Sequence, residues 1–226
     1  TVTASQAGDA NYSAAPDVSQ SFNIAKASSA TTVTCPASVA YTGAAQTPCT
    51  ATVTGAGGLS LTPTPTYANN TGAGTATASY TFAGDANHTG SSDSKNFTID
   101  KASTATVVAS SQNQATADQS VSFTATVAPS AATGTVQFVV NGVDYGSPVT
   151  LTAGAATIAF TNKTAGTYTV SASYSGDANY NGSGAALSPD QQINPGAPAK
   201  LAFGAQPTDT QAGQAIAPAV TVRVLD

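Results

Sequence analysis

Few side chains in this chain of 226 residues could do chemistry, and those few do not assemble. The single histidine is His88, the two cysteines are Cys35 and Cys49, and the eleven acidic residues are all aspartate. A hydrolytic triad needs a nucleophile beside a base, and a carboxylate-pair hydrolase needs two acids facing one substrate atom. With no second histidine, no glutamate and no cysteine expected to be free, neither arrangement is readable here, so the chain is expected not to be an enzyme. His88 closes the pentapeptide Gly84-Asp85-Ala86-Asn87-His88. Related pentapeptides end in Tyr12 and Tyr180, which favours turn packing over catalysis for His88.

Asp177-Ala178-Asn179-Tyr180-Asn181-Gly182 matches the first half of a calcium loop, with candidate oxygen ligands at Asp177, Asn179 and Asn181. The twelfth position, where such a loop carries a bidentate glutamate, is Ser188. The competing reading is a turn in which Asp and Asn side chains cap local amides, and that reading is preferred. No cofactor is expected, calcium being the one ion with a candidate site. Cys35 and Cys49 lie close in sequence within a Thr-rich region and are expected to form a disulfide rather than two free thiols, which implies an oxidising compartment. Asn-x-Ser/Thr triplets at Asn11, Asn69, Asn87, Asn96, Asn162 and Asn181 matter only where the source glycosylates. Lys95 and Lys163 are the lysines considered for amide cross-links to asparagine, and both are expected to be solvated.

The elements that position these residues form a repeat. Gly8-Asp9-Ala10-Asn11, Gly84-Asp85-Ala86-Asn87 and Gly176-Asp177-Ala178-Asn179 stand 76 and then 92 residues apart. That spacing is a domain rather than a solenoid turn of about 20 to 50 residues. Only 8% of residues are charged, Thr and Val are abundant, and strong helix formers other than Ala are scarce, so strands are expected throughout. A net charge of -5 without a basic cluster argues against nucleic acid. No run of about 18 apolar residues is present to span a membrane as a helix.

Along the chain, residues 1–25 read as the closing part of one repeat, with a last strand near Ser21-Phe22-Asn23-Ile24. Residues 26–101 and 102–194 read as complete repeats, and 195–226 as the linker Pro195-Gly196-Ala197-Pro198 followed by the first strands of another. In the second complete repeat, Val121, Phe123, Ala125 and Val127 alternate with Ser and Thr. So do Val136, Phe138 and Val140, then Ala156, Ile158 and Phe160, then Tyr168, Val170, Ala172 and Tyr174. Four strands with one apolar face each describe the inner faces of a sandwich. Asn141-Gly142 is a two-residue hairpin signal, because both positions need positive φ. Adding 104–108, 143–151 and 187–193 gives seven strands. Pro63 and Pro65 demote their stretch to an edge or a loop.

Tyr174-Ser175-Gly176-Asp177-Ala178-Asn179-Tyr180, with Ser120 to Val127 and Gly134-Thr135-Val136-Gln137-Phe138, resembles the bacterial immunoglobulin-like repeats of group 3. The first complete repeat resembles a related module carrying an added disulfide. Ala165-Gly166-Thr167-Tyr168 resembles the tyrosine corner of such sandwiches, absent from the first repeat, where Gly74-Thr75-Ala76 stands. The resemblance implies an all-β chain of tandem immunoglobulin-like sandwiches, elongated, from secreted or cell-surface proteins of bacteria. It implies a stalk, spacer or adhesive module and carries over no catalytic residue. With a partial repeat at each end, the expectation is a stalk or filament subunit whose partners are copies of itself or adjoining domains. The alternatives are an adhesin binding a glycan or a cell-surface protein through its loops, and a spacer for an enzyme encoded elsewhere. The half repeats at both ends are expected to be completed by neighbouring segments.

Overall fold

The computed structural model describes residues 1–161, 164–197, 200–206, 209–215, 217 and 219–225. It divides into two compact units, Thr1–Asp100 and Lys101–Asp226. In both, the regular secondary structure is almost wholly strand, as the β-branched, glutamate-free composition favours.

The first unit opens with a hairpin of β1 (Val2–Gln6) and β2 (Ala15–Gln20), paired from Val2↔Gln20 and exposed along its whole length. The strand expected near residues 21–24 instead lies earlier, because the ladder runs out where Gln20 meets Val2. The sandwich follows. One sheet has the order β3 (Ser29–Thr34), β5 (Thr50–Gly55), β6 (Leu59–Leu61). The facing sheet has the order β4 (Ser38–Ala40), β9 (Ser91–Asp100), β8 (Gly74–Phe82), β7 (Thr66–Ala68). Pro63 and Pro65 fall in the gap between β6 and β7, outside any ladder, as their missing N–H demands. Val33, Cys49, Ala51, Ala76, Ala78, Phe97 and Ile99 form the core, a small one with three alanines among its seven residues.

In the second unit the first sheet is β10 (Ala105–Ser110), β12 (Ser120–Ala128), β15 (Ala155–Thr161). The second is β14 (Val143–Thr150), β13 (Thr135–Val140), β17 (Val170–Tyr174), β18 (Ser183–Ala186). A third, short sheet joins β11 (Ala115–Thr116), β19 (Gln191–Asn194) and β16 (Gly166–Tyr168). Val121, Phe123, Ala125, Val127, Val136, Phe138, Val170, Ala172 and Tyr174 are all buried, so the period-2 faces point inward together. Asn141 and Gly142 carry φ of 49° and 79° at the tip of the β13–β14 hairpin. The unit also contains β20 (Lys200–Ala205), paired with β21 (Thr221–Leu225).

Two strands differ from their sequence-based reading. The segment Tyr168–Tyr174 divides at Thr169, β16 and β17 joining different sheets. Of the expected strand 187–193 only 191–193 is strand, within β19, while Leu187-Ser188-Pro189-Asp190 lie outside any ladder, which Pro189 cannot continue, and β18 lies before them. In both units a very short strand pairs in parallel with a later one, β4 with β9 and β11 with β19. The chain therefore changes sheets between β3 and β4 and again between β10 and β11.

Candidate functional site

The repeated pentapeptide is the same turn three times. Gly8, Gly84 and Gly176 take φ of 76°, 90° and 77°. Asp9, Asp85 and Asp177 each donate their amide to the carbonyl of the residue three further on, at 2.8, 3.1 and 3.0 Å. In each copy the Asp Oδ1 accepts two amides of its own turn: Asn11 and Tyr12, Asn87 and His88, Asn179 and Tyr180, all within 2.7–2.9 Å. A short carboxylate accepting amides two and three residues on is what Asp contributes to a turn. Positive φ is required at the glycine, and at Gly176 an added Cβ would also meet Gly182 N and Tyr180 O at 2.9 Å.

In the two sandwiches the turn grips the segment leading into its own sandwich. The Ala27 amide donates to Asn87 O at 2.8 Å and the Thr89 amide to Ala27 O at 2.9 Å, while Lys26 Nζ donates to Asp85 O at 2.6 Å. The second unit repeats this: Ala102 amide to Asn179 O at 3.0 Å, Asn181 amide to Ala102 O at 2.9 Å, Lys101 Nζ to Asp177 O at 2.5 Å. Ser29 Oγ and Thr104 Oγ1 extend the clasp by donating to Thr89 O and Asn181 O. The Lys-Ala lead-in and the Gly-Asp turn are each visible in the sequence; that they meet is a tertiary fact with no local signal.

Asp177 has a further duty. Its Oδ2 accepts the Thr133 amide at 2.8 Å and the Thr133 hydroxyl at 2.7 Å. Burial raises the pKa of this carboxyl, but the Thr133 amide and hydroxyl and the Asn179 and Tyr180 amides outweigh it and hold the pKa at about 2. Tyr174 donates its hydroxyl to Thr133 O at 2.6 Å, and its pKa is raised by burial first and by the Asp177 charge second. With four protein donors on its two oxygens, Asp177 behaves as a turn-and-loop anchor. Asn181 Nδ2 is directed to Lys101 O at 3.1 Å. Among the described residues no group of three or more His, Cys, Asp or Glu is placed to hold a metal ion. Of the calcium-loop match at Asp177, Asn179 and Asn181, both Asp177 carboxylate oxygens are engaged by protein donors.

His88 is 8% exposed. Its Nδ1 lies 2.9 and 3.0 Å from the Asp85 carboxylate oxygens and its Nε2 lies 2.8 Å from Ala56 O, in the 3₁₀ turn Ala56–Gly58. Its pKa is raised, first by the Ala56 carbonyl and then by Asp85, against the opposing effect of burial. Asp85 is lowered, first by the Asn87 amide and then, against desolvation, by His88.

Cys35 and Cys49 are joined by a disulfide across a separation of 14 residues. Tyr67, which the sequence did not single out, secures that bridge: its hydroxyl accepts the Cys49 amide at 2.9 Å and donates to Cys49 O at 3.0 Å. Its ring meets Phe97 edge-on, with centroids 6.3 Å apart. In the second unit Tyr168 donates to Thr164 O at 3.0 Å, four residues upstream, while its ring lies against Phe160. Gln191, wholly buried, was also invisible to periodicity. Its Oε1 accepts Ser110 Oγ at 2.6 Å and its Nε2 donates to Gln112 O and Gln192 O, pinning the start of β19. Among the asparagine triplets Asn162 lies outside the described residues, as do Lys163 and Pro198 of the linker.

Two of three comparisons with known proteins return similarities. Residues 107–190 match the family model described as bacterial Ig-like domain, group 3. That match lies within the second unit, and this family of domains is in general structural and non-catalytic and does not depend on a cofactor. Among solved structures, one similar chain is a protein of Corynebacterium diphtheriae described as membrane anchored, at 19% identity and a TM-score of 0.36. The similarity covers 67% of this chain and 40% of that one, so the present chain spans under half of that protein's length. A comparison with curated proteins found no match. No helix among the described residues is long and apolar enough to cross a membrane.

Proposed function

We propose that this chain is a load-bearing, non-enzymatic segment of an extracellular bacterial protein, a stalk or fibre element whose partners are adjoining immunoglobulin-like domains or further copies of itself. One observation carries the reading: the side chains most capable of chemistry are turned onto the chain's own backbone. Asp9, Asp85 and Asp177 hold turn amides, Lys26 and Lys101 hold turn carbonyls, His88 holds Ala56, and the cysteines hold each other. Such a distribution serves resistance to opening rather than turnover or ligand capture. The disulfide and the bacterial domain family fit an oxidising, extracellular setting.

Pulling the chain by its ends in a force spectrometer tests this. Discrete unfolding events are expected, and reduction should lengthen the event of the first unit by about 45 Å. That is the contour of the chain between Cys35 and Cys49 at about 3.5 Å per residue, less the short span already present across the bridge. Featureless extension at the lowest forces, with no discrete event, would remove the load-bearing role. Electron micrographs then separate the two forms: regular filaments identify a fibre, isolated rods a stalk.

A further inference from the structure

His88 differs in kind from Tyr12 and Tyr180, the residues at its position in the other two copies, and its surroundings give that difference a consequence. Both ring nitrogens face groups that only accept: the Asp85 carboxylate at Nδ1 and the Ala56 carbonyl at Nε2. A neutral imidazole has one N–H and one lone pair, so it can satisfy one of these partners and must present a lone pair to the other. Only the imidazolium donates to both. The neighbourhood supplies one further charge. The lead-in packs Lys26 against the turn through Asp85 O, and the turn itself carries Asp85. Ala56–Gly58, the end of β5 at Gly55 and the β6 strand Leu59–Leu61 bring no ionisable side chain. At the start of β9, Asp93 is engaged by the Val33 amide.

We propose that His88 is a pH-sensitive latch on the first unit's clasp, closed while the ring is protonated and loosened when it loses its proton. On deprotonation the remaining N–H stays toward the Asp85 carboxylate, since a lone pair there would face a full negative charge, and the Nε2–Ala56 link is the one lost. The Ala56–Gly58 turn then separates from the Gly84–His88 turn, whose His88 forms the parallel bridge to Ala27. The sign follows from the raised folded pKa. The latch contributes fully below the unfolded value near 6.5 and is lost as pH rises through the folded value. The second unit has the same clasp without an imidazole, so the chain carries its own reference.

The test is nuclear magnetic resonance on the whole chain between pH 5.5 and 8.5. The His88 ring should titrate with a midpoint above 6.5. Protection of the Ala27 and Thr89 amides, divided by that of Ala102 and Asn181, should fall across the window by up to about tenfold for each unit by which that midpoint exceeds 6.5. His88→Tyr, which copies the other units, should keep the ratio constant with pH, and so should His88→Gln. A wild-type midpoint at or below 6.5, a wild-type ratio that does not change, or a folded variant that retains the change would each overturn the latch. If neither variant folds, the wild-type midpoint and ratio decide the matter alone.

Discussion

Two glycines with nearly the same φ separate the cost of backbone strain from the cost of crowding. Gly142, at φ 79°, has nothing within 4 Å of where a Cβ would sit, whereas at Gly176, φ 77°, that Cβ would lie 2.9 Å from two backbone atoms. Gly142→Ala should therefore destabilise the second unit by about 1 kcal/mol, the conformational cost alone. Gly176→Ala should cost distinctly more, about 2 to 4 kcal/mol, because the fixed backbone of the turn must move. Denaturant titration of the two variants checks the order, and equal losses would show that the turn yields freely. At this scale the sequence was readable where one residue type answers one local need, as with Asn141-Gly142 and the three Gly-Asp pairs. It was silent on Tyr67 and Gln191, whose partners lie far away in sequence or belong to a buried network without periodicity.

At the scale of elements, Asp177 ties the turn before β18 to the β12–β13 connection through Thr133, and the tie is acid-labile. Its folded pKa of about 2 lies below the unfolded value near 3.9, so its contribution is present above about pH 4 and disappears as pH falls to about 2. The residue is partly solvated, so that contribution is on the order of 1 to 2 kcal/mol. Asp177→Asn should lose a similar amount at pH 7 and flatten the acid dependence of the second unit's unfolding, measured by denaturant titration from pH 2 to 7. Millimolar calcium or a chelator should leave the wild-type midpoint unmoved, since the carboxylate already has four protein donors; a calcium-dependent rise would restore the metal reading. Long alternating strands such as β12 and β13 were legible because both faces of the pleat are written in residue type. β4 and β11, at three and two residues, are too short to show a period. The splitting of the last strand was concealed because Leu187 and Ile193 are both buried although they flank a change of sheet. The clasp joins two readable motifs whose meeting only the folded chain supplies.

At the scale of the molecule, each unit has a core of its own, and the two are secured differently. The second packs three phenylalanines and several valines, with Phe160 touching Phe123, Tyr145 and Tyr168 at ring separations of 5.3 to 5.5 Å. The first has one buried phenylalanine, Phe97, among alanines, and carries the only disulfide. A small core buries too little apolar surface to offset much chain entropy, and a cross-link helps by restricting the unfolded state. For a closed loop of about 15 residues that effect is about 3 kcal/mol, a large share of the 5 to 15 kcal/mol typical of a whole domain. Scanning calorimetry with and without reductant should show one transition falling by about 10 °C or more while the other stays in place. Cys35→Ala with Cys49→Ala should reproduce the reduced trace without reductant. The His88→Tyr substitution should alter the pH dependence of the same transition that reduction lowers, because His88 and the disulfide belong to one unit. If reduction moved both transitions together, or His88→Tyr acted on the reductant-insensitive one, the assignment of separate cores to separate cooperative units would fail.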